Sequence, residues 1–132
     1  MLALSGRKAL VTGAGTGLGD GIAKSLAQAG ATVYINDLFP ERAARVADQL
    51  QTEGLDTHAK AFDVTDFEKF GAAVDDLGTM DILVSNAGII QVANNNDHFA
   101  AFGDTDPTSW HKQFDLNVFG VMNGIRAVLP GM

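Results

Sequence analysis

The chain contains no cysteine, which excludes a disulfide framework, thiol catalysis and cysteine-ligated zinc. Histidine is nearly as scarce. His58, His98 and His111 are too scattered to form a metal cluster, so no metal site is expected. Basic residues are few: nine Lys and Arg against sixteen Asp and Glu leave a net charge of −7. Such a balance lacks the positive footprint that nucleic acid or an anionic membrane surface requires. No apolar run approaches the ~20 residues of a membrane-spanning helix, and Met1-Leu2-Ala3-Leu4 is too short for a signal-peptide core. A cytoplasmic setting is the expectation. What is present is an ordinary globular composition, 46% hydrophobic and 19% charged over 132 residues, enough for one buried core and contrary to disorder.

Glycine and the few prolines divide the chain into alternating units. Arg7–Val11 reads as a buried strand. A helix follows with Leu18, Ile22, Leu26 and Ala29 on one face and Gly30 as its stop. Thr32–Asn36 is a second strand, and Pro40 opens a helix that turns Ala43, Val46, Ala47 and Leu50 inward before Gly54. Thr57–Phe62 is a weaker third strand. Thr65-Asp66-Phe67-Glu68 has capping-box spacing ahead of a Phe67, Phe70, Val74, Leu77 stripe. Asp81–Ser85 makes a fourth strand, and Asp106-Pro107 begins the longest helix, running to about Leu129. Between them, the Asn-rich stretch around Asn94-Asn95-Asn96 cannot supply a core.

Strands alternating with helices of this length imply an α/β fold of the Rossmann type, three layers around a parallel sheet. A full doubly wound sheet is ordered 3-2-1-4-5-6. This chain encodes order 3-2-1-4, and so reads as one dinucleotide-binding domain over residues 1–132, truncated after the fourth strand and its helix.

Between the first strand and first helix stands Thr12-Gly13-Ala14-Gly15-Thr16-Gly17-Leu18-Gly19. Glycines there permit a tight turn and close approach of the backbone to a pyrophosphate, which then meets the helix N-terminus. No glycine of the loop is followed directly by Lys-Ser or Lys-Thr, which argues against a nucleoside-triphosphate loop. Asp37 closes the second strand, where a carboxylate accepts hydrogen bonds from an adenosine ribose. It would also repel the 2′-phosphate of NADP, and no Lys or Arg lies among Ala14, Gly15, Thr16, Leu38 and Phe39. NAD is therefore the expected cofactor.

These features resemble the short-chain dehydrogenase/reductase family across essentially the whole chain. Thr12, Gly13, Gly17 and Gly19 fit its glycine pattern, and Asp63-Val64 resembles its adenine-contacting pair. Asn86-Ala87-Gly88 resembles its Asn-Ala-Gly motif, and Asn117 the helix asparagine of its catalytic tetrad. The resemblance implies cofactor contacts from Gly13, Thr16, Gly17, Leu18, Gly19, Asp37, Leu38, Asp63, Val64, Asn86, Ala87 and Gly88. It also implies hydride transfer between a nicotinamide and an alcohol or ketone, by a Ser and a Tyr-x-x-x-Lys.

Those last groups are missing. The one tyrosine, Tyr34, lies inside the second strand with Leu38 four residues on, and no serine follows Ser109. The chain thus reads as the cofactor-binding half of an oxidoreductase, inactive alone. Two alternatives remain at this level: a non-catalytic dinucleotide-binding or interaction module, and an S-adenosylmethionine-dependent methyltransferase, which shares a glycine loop and an acid after strand two. Expected partners are NAD(H), a small alcohol or ketone, and a second copy of the chain. The copy would dock through helix 107–129, whose apolar stripe is Trp110, Phe114, Val118, Val121, Met122, Ile125 and Leu129, or through strand 81–85.

Overall fold

The computed structural model describes residues 3–89 and 101–132. The Asn94-Asn95-Asn96 stretch and His98 lie outside the described residues. Four parallel strands form one sheet in the order β3-β2-β1-β4: β1 Lys8–Val11, β2 Thr32–Ile35, β3 Thr57–Ala59 and β4 Ile82–Val84. The helices are α1 Gly17–Gln28, α2 Pro40–Thr52, α3 Phe67–Leu77, α4 Pro107–Phe114 and α5 Gly120–Val128, with a π-helical turn over Asp115–Phe119. The expected order and class are found.

The central strand shows why the sheet needs cover on both sides. Ala9, Leu10 and Val11 are fully buried, but alternation sends Ala9 and Val11 to one face and Leu10 to the other. The first face packs against Ala23 and Ala27 of α1 and Ala43, Val46, Ala47 and Leu50 of α2. The second packs against Phe70, Ala73 and Val74 of α3 and Val128 of α5. Phe62 meets Phe70 edge-on, with ring centroids 4.8 Å apart.

Four local expectations are corrected. The inner face of α1 is Gly19, Ala23 and Ala27, with Ile22 and Leu26 half-buried beside it and Leu18 76% exposed. Small residues face inward because the helix starts hard against the strand ends: a Cβ on Gly19 would lie 2.6 Å from the Gly13 carbonyl oxygen. Strand β3 stops at Ala59 rather than Phe62, because the carbonyls of Lys60 and Phe62 accept from the Asn36 side chain instead of a neighbouring strand. Asp66, not Thr65, caps α3, accepting from Lys69 N–H at 3.0 Å, while Thr65 turns back to Asp63.

The long helix differs most. Its π-helical turn breaks the simple periodicity, and Leu116, Gly120, Gly124 and Val128 face the protein. Glycine at 124 lets α5 close on α3, since a Cβ there would lie 2.9 Å from Cζ of Phe70. Phe114, Val118, Met122, Ile125 and Leu129 from the expected stripe are exposed, as is Phe119.

Candidate functional site

A cleft of about 560 Å³ opens at the C-terminal ends of the strands, the crevice where open α/β sheets bind ligands. Eleven of the twelve expected cofactor residues line it: Gly13, Thr16, Gly17, Leu18, Asp37, Leu38, Asp63, Val64, Asn86, Ala87 and Gly88. Gly19 lies beneath, where the helix is locked to the sheet. Gly17 has φ +58°, a left-handed conformation that a side chain would strain.

The floor of the cleft is cross-linked by side chains. Asn86 Nδ2 donates to the carbonyls of Thr12 and Gly13 at 3.0 and 3.1 Å. Thr12, 3% exposed, accepts at Oγ1 from the N–H groups of Asn86 and Ala87, at 3.0 and 3.1 Å. Strand β1 is thereby joined to the Asn86-Ala87-Gly88 segment after β4.

Asp37 is 6% exposed, and its two oxygens accept from the backbone N–H of Gly15 (3.2 Å) and of Phe39 (3.0 Å). A carboxylate has roughly four acceptor positions, so these bonds leave capacity for a ligand. Asp63 uses one oxygen for both the N–H and the hydroxyl of Thr65, at 2.9 and 2.7 Å. At the far end, Asn117 Oδ1 accepts from Ile89 N–H at 2.8 Å, and Asn117 Nδ2 donates to Ile89 C=O at 2.7 Å. Asn117 therefore acts on the segment following Gly88.

Sequence reasoning missed several lining residues: Asn36, Phe39, Arg42, Phe62, Thr65, Ile89, Lys112, Asp115 and Leu116. Arg42 corrects a specific expectation. The residues adjoining Asp37 in sequence carry no positive charge, yet the first turns of α2 bring two arginines to this corner. Arg42 lays its guanidinium 4.5 Å from the centre of the Phe39 ring, and Arg45 donates to the Gly15 carbonyl at 2.8 Å. Helical spacing from Phe39 to Arg42 was the available signal.

A parallel sheet with a glycine loop beneath an acid-ended second strand defines a dinucleotide-type fold, and the comparisons name its class. The chain belongs to the short chain dehydrogenase family, whose profile matches residues 7–132. It is similar to the oxidoreductase UcpA of Salmonella typhimurium, with 38% identity over 98% of this chain and 48% of that protein. Among solved structures, a 3-oxoacyl-[acyl-carrier protein] reductase with bound NAD from Brucella melitensis aligns with a TM-score of 0.89 and 36% identity, over 97% of this chain and 49% of that one. A gluconate 5-dehydrogenase from Burkholderia cenocepacia, in complex with NADP and tartrate, aligns with a TM-score of 0.85 and 38% identity, over 96% and 49%. The chain spans about half the length of the curated relatives it matches.

Proposed function

We propose that residues 1–132 form the NAD-binding part of an oxidoreductase that transfers hydride between nicotinamide and an alcohol or ketone. The observation that carries this reading is the convergence of the glycine loop, Asp37, Asp63-Val64 and Asn86-Gly88 on one cleft. The cleft fits a dinucleotide at its narrowest demand, because the space a Gly17 side chain would enter is open, with nothing within 4 Å.

In this reading the loop from Gly13 to Leu18 presents backbone N–H groups to the pyrophosphate. Asp37 and Leu38 hold the adenosine ribose, and the free oxygen of Asp63, with Val64, takes the adenine. Asn86, Ala87 and Gly88 shape the path toward the nicotinamide. Asn117 is the family's catalytic asparagine by position, and here it fixes the Ile89 backbone. Bound NAD would supply the hydride acceptor. The buried Asp37 carboxylate supports NAD over NADP, with Arg42 moderating the preference.

The chain's own sequence supports a cofactor-binding role for these residues by themselves, since it holds no Tyr-x-x-x-Lys. Membership of a dehydrogenase family weighs against the methyltransferase reading. Among the described residues no helix is long and apolar enough to cross a membrane, and we read the setting as cytoplasmic. We further read the exposed face of α4 and α5 as a contact between copies of the chain. Titration with NADH, NADPH and S-adenosylmethionine, followed by fluorescence and calorimetry, tests the assignment. Saturable NADH binding supports it, and binding of S-adenosylmethionine alone would overturn it.

A further inference from the structure

We infer that Asn36 is a positioning residue that sets the span between the phosphate end and the adenine end of the cleft, and through it the recognition of the base. The inference rests on the dinucleotide reading above. Asn36 follows β2 directly and is 1% exposed, the most buried polar side chain lining the cleft.

Its hydrogen bonds run to both sides. Toward the glycine loop, its carbonyl accepts from Ala14 N–H at 2.7 Å and its Oδ1 from Gly13 N–H at 3.4 Å. Toward the other wall, the two hydrogens of Nδ2 serve two separate carbonyls, Lys60 and Phe62, each at 3.1 Å. Phe62 is the residue before Asp63. Among the described residues no other hydrogen bond reaches those two carbonyls, and the β-ladder has already ended. The stretch that carries Asp63-Val64 is thus tied to β2 beyond Ala59 by the Lys60 N–H bond to Ile35 and by this one amide.

Chemistry narrows the residue types that can do this. The position needs one acceptor and two donors in a short side chain, which asparagine provides. Aspartate would keep an acceptor for Gly13 but turn its second oxygen against two carbonyls. An apolar residue would leave the buried Phe62 carbonyl and the partly buried Lys60 carbonyl without a donor. Threonine retains one hydroxyl donor and suits the end of a strand.

The test compares NADH with its hypoxanthine analogue, in which a carbonyl replaces the adenine amino group that Asp63 would read. The full chain should favour NADH by roughly tenfold, the order expected for one hydrogen bond to a charged acceptor. Asn36→Asp and Asn36→Thr should bring that ratio toward one while cooperative unfolding shows the chain folded. A merely structural amide would lower stability and leave the ratio intact. An unchanged ratio in either folded variant, or no preference in the unsubstituted chain, would overturn the inference. Absence of NADH binding to the unsubstituted chain would instead overturn the dinucleotide reading. A second measurement needs no variant: the Asn36 side-chain amide protons should exchange slowly in the free chain and shift when AMP is added. Exchange at the rate of a surface asparagine would overturn the inference.

Discussion

Asn117 grips both backbone polar groups of Ile89, accepting from its N–H at 2.8 Å and donating to its C=O at 2.7 Å. The grip comes from the π-helical turn Asp115–Phe119, with Asn117 at its centre. Such turns insert an extra residue into a helix and redirect side chains, often at functional sites. A regular helix with the stripe read from the sequence would have carried Asn117 elsewhere relative to β4.

Asn117→Ala should therefore loosen the segment after Gly88 more than it destabilises the fold. Both bonds lie at exposed positions where water can replace them, so the global loss should be about 1 kcal/mol or less. Amide exchange at Ile89 should accelerate at least several-fold. An Ile89 exchange rate unchanged by the substitution would show that something other than Asn117 holds this segment.

The corner around Asp37, proposed for the ribose, makes a second prediction. Two unit charges 4 Å apart interact by about 4 kcal/mol at an effective dielectric near 20, and Arg42 offsets part of that repulsion for a 2′-phosphate. The chain should bind NADH more tightly than NADPH by about tenfold, equivalent to ~1.4 kcal/mol. Asp37→Ala should narrow the gap chiefly by weakening NADH, and Arg42→Ala should widen it by weakening NADPH. Equal or tighter NADPH binding by the unsubstituted chain would remove the NAD assignment.

The Arg42 contribution shows what was legible in the sequence and what was not. The strand order and α2 with its inward Ala43, Val46, Ala47 and Leu50 follow from local pattern, and eleven of the cleft residues from the resemblance to the family. Such features depend on neighbours in sequence. Arg42 reaches the cleft because α2 folds back toward the glycine loop, and Asn36 because β1, β2 and β3 end side by side. Those are tertiary facts. The long helix shows a related limit: apolar periodicity marks a face without saying whether the protein or a partner covers it. Glycines at 120 and 124, which carry no hydrophobic signal, mark the side that packs.

Acid should unfold the chain through caps and strand-end pairs. Asp66 lies below its ordinary value of 3.8 because it accepts from Lys69 N–H, Asp106 because it accepts from Thr108 N–H, and Asp81 because it accepts from Lys8 N–H and pairs with Arg7. Each folded-state value is depressed, so the stabilisation is present above the unfolded pKa and is lost as pH falls through the folded one. Unfolding midpoints should be flat above about pH 5 and fall progressively below pH 4. In Asp66→Asn the fall should be shallower, because the uncharged amide still caps the helix. An identical acid limb in that variant would mean that Asp66 takes no part.

The exposed face of α4, the π-helical turn and α5 should drive self-association. Phe114, Val118, Phe119, Met122, Ile125 and Leu129 lie between 41% and 60% exposed, a clustering that marks interaction surfaces more often than chance exposure. Among the described residues β4 pairs only with β1, so its outer edge is a second candidate contact. Met122→Glu with Ile125→Glu should turn an associating chain into a monomer if the helix face is the contact. Sedimentation at tens of micromolar decides. A monomeric unsubstituted chain would remove both contacts.

Residues 1–132 should bind a dinucleotide yet transfer no hydride. The groups assigned to adenosine and pyrophosphate all lie before Asn86, on well-anchored strand ends. The one tyrosine, Tyr34, is half-buried within β2, its ring against His58 at 5.7 Å, and is not among the residues that line the cleft. General acid–base catalysis contributes about 10²–10⁴-fold, and orientation of the reacting groups contributes more. Mixing the 132-residue polypeptide with NAD and a panel of secondary alcohols should produce no NADH absorbance above the protein-free control. Turnover that follows the concentration of a polypeptide of verified mass would place a proton carrier within these residues. Lys112 and Asp115, which line the cleft near Ile89, would then be the first side chains to replace.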